Sequence, residues 1–271
     1  MHDLQRVGGW PDSEQKWAAR GDGERIQTDR GERFEFERCA GYLEEGLRHG
    51  PGIQVWPDGA KYEGEWRQNK ANGTGKFWHA DGDVYEGQWE DDKANGFGVY
   101  VHVNGAKYEG YWKNDLQDGN GIESWSDGSR YQGGYKEGMK HGRGRYVWND
   151  GSCYDGEWFE NKINGVGFYI WPDGRKYDGQ WRENNMHGKG IYTWKDGRKY
   201  EGEYLNDRKH GFGVYTWQDG RQYEGYWENG KQHGDGIYRQ ANGAERNGRW
   251  VEGKRMYWND EKELDQPATQ K

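Results

Sequence analysis

Eight tyrosines recur at a fixed interval of 23 residues: Tyr62, Tyr85, Tyr108, Tyr131, Tyr154, Tyr177, Tyr200 and Tyr223. Each opens the same phrase, as in Tyr62-Glu63-Gly64-Glu65-Trp66 or Tyr177-Asp178-Gly179-Gln180-Trp181. No residue is inserted or deleted between Tyr62 and Glu245. A period of about 20–50 residues marks a repeat architecture, in which each unit buries its apolar face only against its neighbours. Such chains act through extended surfaces more often than through one pocket.

Within a period the alternation is two. In Tyr200-Glu201-Gly202-Glu203-Tyr204 the aromatics and the glycine share one face and the carboxylates the other. The segment Asn206-Asp207-Arg208-Lys209-His210 reads as a loop. Beyond it Gly211, Gly213, Tyr215 and Trp217 share a face, and Phe212, Val214 and Thr216 the opposite one. Asp219-Gly220 then supplies a turn that tolerates positive φ, and the same turn glycine recurs at Gly59, Gly82, Gly128, Gly151, Gly174 and Gly197. Each repeat therefore reads as a β-hairpin, continued into a meander. The expected fold is all-β: an elongated antiparallel single-sheet rod of consecutive hairpins, without a globular second domain.

A mean hydropathy of −1.44 and 31% hydrophobic residues leave too little aliphatic material for an ordinary core. The 17 Trp and 20 Tyr argue against disorder, because aromatic rings bury large areas per residue. The expected structural positions are Tyr62, Trp66, Tyr85, Trp89, Tyr108, Trp112, Tyr154, Trp158, Tyr177, Trp181, Tyr200, Tyr223 and Trp227. Glycine weakens a strand unless something else uses the space, so the in-register glycines are expected to seat neighbouring rings over bare backbone.

The flanks are degenerate. Cys39-Ala40-Gly41-Tyr42 and Gly50-Pro51-Gly52 fill a repeat upstream, and Arg246-Asn247-Gly248-Arg249-Trp250 a half-repeat downstream. The domain reading is a polar N-terminal extension or cap over 1–38, the repeat array over 39–255, and an acidic flexible tail over 256–271.

A net charge of −8 and a pI near 5.6 argue against nucleic-acid binding, which needs a basic footprint. Cys39 and Cys153 stand almost five periods apart, roughly 45–50 Å along such a sheet, and are expected as free thiols of a reducing cytosol. No apolar stretch resembles a signal peptide or a membrane span, which supports a cytoplasmic expectation.

The sequence carries no catalytic constellation, no cofactor fingerprint and no metal-ligand spacing. Gly75-Lys76 lacks the rest of a phosphate loop, and Glu63, Glu86 and Glu109 form a solvated ladder. His49, His141, His187, His210 and His233 precede a strand glycine and read as turn side chains bonded to local backbone. His79 and His102 stand where other repeats carry Trp, which suggests a polar notch produced by repeat drift.

The Tyr-Glu-Gly-x-Trp phrase, the following Asn/His-Gly-x-Gly, and the Trp and Asp-Gly at a 23-residue period closely resemble the MORN (membrane occupation and recognition nexus) repeat. Eight copies cover residues 62–245. The resemblance implies a twisted antiparallel sheet acting as a non-enzymatic scaffold, because MORN repeats accompany enzymes without being the enzyme. Aromatic positions left partly exposed along a groove would anchor extended or helical segments of protein partners, and other subunits of a large complex are expected among them. A cytoskeletal or ciliary, radial-spoke-like location is implied by the resemblance alone.

The alternative is a peripheral phospholipid-binding or tethering module. Its candidate contacts are Arg175, Lys176, Arg198, Lys199 and Arg221, just before successive repeat tyrosines. Strand alternation places the arginines on one side and the lysines on the other. Three charges near an anionic surface contribute about 3 kcal/mol, against the net charge and neighbouring aspartates. The residues are expected to pair across strands with Glu and Asp, leaving weak or no direct membrane binding.

Overall fold

The computed structural model describes residues 24–28, 31–36 and 39–260, with side chains from residue 40 onward. The chain divides into two compact units, Met1–Gly142 and Arg143–Lys271, each an antiparallel run of the same hairpin. In the second unit Lys176–Arg182 pairs with Asn185–Thr193, which pairs with Lys199–Leu205. In the first, Lys61–Arg67, Lys70–Trp78 and Val84–Glu90 follow the same order.

Two turns close each repeat. The Asp-Gly turns form as expected, with Gly220 at φ 86° and the Trp217 N–H bonded to the Arg221 carbonyl. The segment Asn206–His210 differs from its reading as a loop. Only Asn206 and Asp207 turn the chain, at φ 49° and 65°, and Arg208–Thr216 is a strand with a bulge opposite Gly202/Glu203. Asn and Asp tolerate this left-handed region better than other non-glycine residues. The turn also ties repeats together. The Asp207 N–H bonds the Met186 carbonyl at 3.0 Å, while its side chain accepts the Met186 N–H at 2.7 Å.

The core is built from tyrosine, tryptophan and glycine. In unit 1, Gly64, Gly75 and Gly87 sit directly opposite one another across adjacent strands, and in unit 2 Gly179, Gly190 and Gly202 do the same. A Cβ on Gly64 would lie 2.5 Å from the Cα of Gly75, and one on Gly75 would lie 2.6 Å from the Tyr62 ring. The ring occupies the space that two absent side chains leave. Tyr62 then packs edge-on against Trp66 at 5.0 Å and Trp89 at 5.4 Å, a geometry favoured by the ring quadrupoles. Its hydroxyl donates to the Glu65 carbonyl at 2.9 Å, and the Trp89 indole N–H donates to the Gly75 carbonyl at 3.0 Å. The polar tips of the core rings thus meet the bulges of the backbone that carries them. All eight period tyrosines are fully buried.

At the ends the described residues differ from the sequence reading. Glu24–Thr28 and Gly31–Phe36, within the expected polar extension, are paired strands, and Gly31–Phe36 continues the meander into Cys39–Glu44. At the other end Lys254–Trp258 pairs with Glu245–Val251, and Trp258 is buried, so residues 256–258 belong to the last hairpin. Asn259 and Asp260 are helical. The remainder of the expected extension and tail lies outside the described residues. Cys153 is a free thiol, and the side chain of Cys39 lies outside the description.

Candidate interaction surface

Unit 2 carries a second set of rings beside the buried one. Trp148, Tyr169, Trp171, Tyr192, Trp194, Tyr215, Trp217 and Tyr238 touch in succession, with centroid distances between 4.5 and 5.9 Å. The tryptophans of this ladder are half-buried, whereas Trp158, Trp181 and Trp227 beneath them are buried. Strand geometry explains the layering. Tyr215 and Trp217 share a face with Gly213, but Trp217 stands just beyond the end of Arg208–Thr216, at the margin of the ring layer.

Arg175, Arg198 and Arg221 line the edge of this ladder. Their guanidinium groups lie 5.5, 5.4 and 5.7 Å from the centres of Trp171, Trp194 and Trp217. Each is held by the aspartate two residues earlier: Arg175–Asp173 at 2.6 Å, Arg198–Asp196 at 2.8 Å and Arg221–Asp219 at 2.6 Å. Arg175 also donates to Tyr192 Oη at 3.1 Å, and Arg221 to Tyr238 Oη at 3.0 Å. These backbone and side-chain donors hold the three aspartate carboxyls below their ordinary range. The arginines thus link a turn to a ring of the following repeat. Of the lysines, Lys176 is exposed and Lys199 pairs with Glu201 at 2.7 Å. The expected cross-strand pairing is present in Lys76–Glu86, but the arginines and Lys199 pair locally, two residues apart. Residues i and i+2 point the same way along a strand, and the tight Asp-Gly turn brings Asp and Arg equally close.

The corresponding surface of unit 1 keeps half-buried Trp56 and Trp125 but is polar between them, at His79 and His102. Asp83 occupies the slot held by arginine in unit 2, and it is buried. It accepts from Tyr100 at 2.7 Å and from the Val103 N–H at 2.9 Å, and pairs with His102 at 2.6 Å. Burial alone would raise its pKa, but these three partners hold it below the ordinary value. The notch at His79 and His102 is therefore filled by a carboxylate, and His79 is depressed in pKa by burial.

Two lysines enter the ring layer. Lys140 and Lys209 stand beside Tyr135 and Tyr204, which replace the tryptophan of the other repeats. Lys140 is buried against Glu123 at 3.0 Å, and Glu123 also accepts the Tyr135 hydroxyl at 2.8 Å. Lys209 lies within 4.5–5.2 Å of the rings of Trp194, Tyr200, Tyr215 and Trp227. Comparing repeat columns could have found both, because lysine takes this place only where tyrosine replaces tryptophan.

The histidine column lies within strands, not turns. His49 meets Glu44 at 2.9 Å, and His233 lies 3.4 Å from Glu228. Glu228, His233 and Glu252 bring potential ligand atoms within 4.8 Å, but Lys231 holds Glu252 at 2.8 Å and keeps its carboxyl below the ordinary value. On the face opposite the ladder, each unit exposes one cross-strand aromatic pair among the described residues, Phe97–Tyr111 at 5.6 Å and Phe212–Tyr226 at 5.7 Å. A shallow concavity in unit 1 is lined by Glu63, Lys76, Trp78, Glu86 and Phe97.

The MORN repeat profile matches residues 39–61, 62–84, 85–107, 108–130, 131–153, 154–174, 177–197, 200–220 and 223–245. The chain belongs to the MORN repeat family. Residues 39–61, degenerate by eye, are a full repeat. A comparison with curated proteins gives no match. Among solved structures, the TCP10 domain of Danio rerio CPAP aligns with a TM-score of 0.42 and 15% identity, over 76% of this chain and 98% of that one. The TCP domain of Drosophila melanogaster SAS-4, in complex with a proline-rich motif of Ana2, aligns with a TM-score of 0.29 and 12% identity, over 92% and 99%.

Proposed function

We propose that this MORN repeat protein is a non-enzymatic scaffold that mediates protein–protein interactions as a cytoplasmic subunit of a cytoskeletal or ciliary, radial-spoke-like assembly. The observation that carries the reading is the half-buried ring ladder of unit 2. Aromatic rings with one face open supply large contact area with little loss of side-chain freedom, and they dominate interface energetics. An extended or helical segment laid along Trp171, Trp194 and Trp217 would bury those faces between the Arg–Asp edges. Proximity labelling with the full chain in its native cell should recover cytoskeletal or axonemal neighbours. A neighbour set lacking both would remove this reading.

The phospholipid alternative draws on the row Arg175, Arg198 and Arg221. Each guanidinium already has an aspartate, so binding a headgroup would break three ion pairs for about 1 kcal/mol of attraction per arginine. Co-sedimentation with phosphatidylserine vesicles at physiological salt is expected to be weak or absent. Strong co-sedimentation that collapses on replacing the three arginines by glutamate would make the membrane module the better account.

A further inference from the structure

The two lysines of the ring layer form an internal comparison. Lys140 and Lys209 lie three repeats apart, and the rings around them correspond: Trp125 and Tyr131 for one, Trp194 and Tyr200 for the other. At Lys140 the chain provides a carboxylate, because Glu123 occupies the ring slot and receives both the ammonium and the Tyr135 hydroxyl. At Lys209 the slot of Glu123 is held by Tyr192, whose hydroxyl is bonded to Arg175. Among the described residues, neither the Lys209 ammonium nor the Tyr204 hydroxyl has a hydrogen-bond acceptor or an anionic partner. Lys209 and Tyr204 therefore lack the carboxylate that serves both Lys140 and Tyr135.

Resting on the reading of the ladder as a docking surface, we propose that Lys209 and Tyr204 receive the side-chain carboxylate of an acidic peptide segment lying across Trp194 and Trp217. The occupant is an extended partner segment with a Glu or Asp flanked by apolar residues. The apolar neighbours cover the open ring faces, and the acid reaches the Lys209 ammonium from outside, in the role that Glu123 plays for Lys140. Cation–π contact alone compensates a desolvated ammonium incompletely. Burial, with Arg198 nearby, holds the Lys209 pKa down to about 8, as expected of a cation without a counter-ion. A carboxylate at hydrogen-bond distance would reverse that cost.

The test is selection of a displayed random-peptide library on the immobilised full chain, followed by binding measurements with the synthesised winners. Winners are expected to share an acidic residue between apolar ones and to lose at least tenfold in affinity on Lys209→Met. Replacing the peptide's acid by its amide should cost as much, and the amide peptide should be indifferent to Lys209→Met. Tyr192→Glu, which gives Lys209 an internal carboxylate, should also abolish binding. Tyr204→Phe removes one hydroxyl only and should weaken it several-fold, which keeps the test valid if Lys209→Met fails to fold. Winners that need Trp194 but ignore Lys209 and carry no acid would overturn this inference and leave the ladder reading standing. An empty selection, or winners indifferent to Trp194→Ala, would overturn both.

Discussion

Trp181→Ala is expected to destabilise unit 2 by about 4 kcal/mol, within the usual range for deleting a buried aromatic ring. Trp181 is buried, lies edge-on to Tyr177 at 5.0 Å and to Tyr154 at 5.8 Å, and donates its indole N–H to the Gly167 carbonyl at 3.0 Å. Its loss removes the transfer energy of the ring, leaves a cavity and frees a backbone acceptor at a bulge. Trp171→Ala, in the half-buried ladder, should cost about 1–2 kcal/mol, because part of that ring is already in water. Urea titration of the two variants measures the difference. Equal losses would mean that the two ring layers are not energetically distinct, and the outer one would then read as core.

Alkaline pH should unfold the protein in one steep step. Burial raises the pKa of Tyr62, Tyr85, Tyr108, Tyr131, Tyr154, Tyr177 and Tyr200 well above the ordinary value of 10, and Tyr223 is pushed up to about 12. A folded-state pKa above the unfolded one contributes stability that is fully present below about pH 10 and is lost as pH rises through the folded value. Each tyrosine then removes about 1.4 kcal/mol per pH unit, so four per unit remove about 5 to 6. A domain stability of about 5–15 kcal/mol is exhausted between roughly pH 11 and 13. Lys209 acts oppositely: its depressed value of about 8 adds stability as pH rises from there toward 10.5. Tyrosinate absorbance should therefore appear together with loss of the β-sheet circular dichroism signal. Phenols that titrate independently near pH 10 while the sheet stays intact would show that these rings are reached by water.

The repeat was legible because three signals with separate causes coincide: the 23-residue period, the two-residue alternation, and glycine wherever a tyrosine needs bare backbone. The turn at Asn206-Asp207 was not placed, because Arg208, Lys209 and His210 are as polar as loop residues and a bulge hides their alternation. The strands Glu24–Thr28 and Gly31–Phe36 lack the Tyr-x-Gly phrase, and only Ile26, Phe34 and Phe36 mark a period, too few for a strand to be read. The arginine row was found, but its role in linking turn to ring depends on Tyr192 and Tyr238, 17 residues further along the chain. Asp83 was missed because its slot holds alanine, serine or arginine elsewhere, and one odd residue in a column reads as drift until Tyr100, His102 and Val103 are seen to converge on it.

On the scaffold reading, the half-buried rings of unit 2, and not the outer aromatic pairs, hold the partner. Proximity labelling in the native cell with three chains tests it directly: wild type, the triple variant Trp171→Ser/Trp194→Ser/Trp217→Ser, and the outer-face variant Phe97→Ser/Tyr111→Ser/Phe212→Ser/Tyr226→Ser. With folding of each verified by circular dichroism, the ladder variant is expected to lose the cytoskeletal neighbours and the outer-face variant to keep them. Retention of those neighbours by the ladder variant, with loss in the outer-face variant, would contradict it.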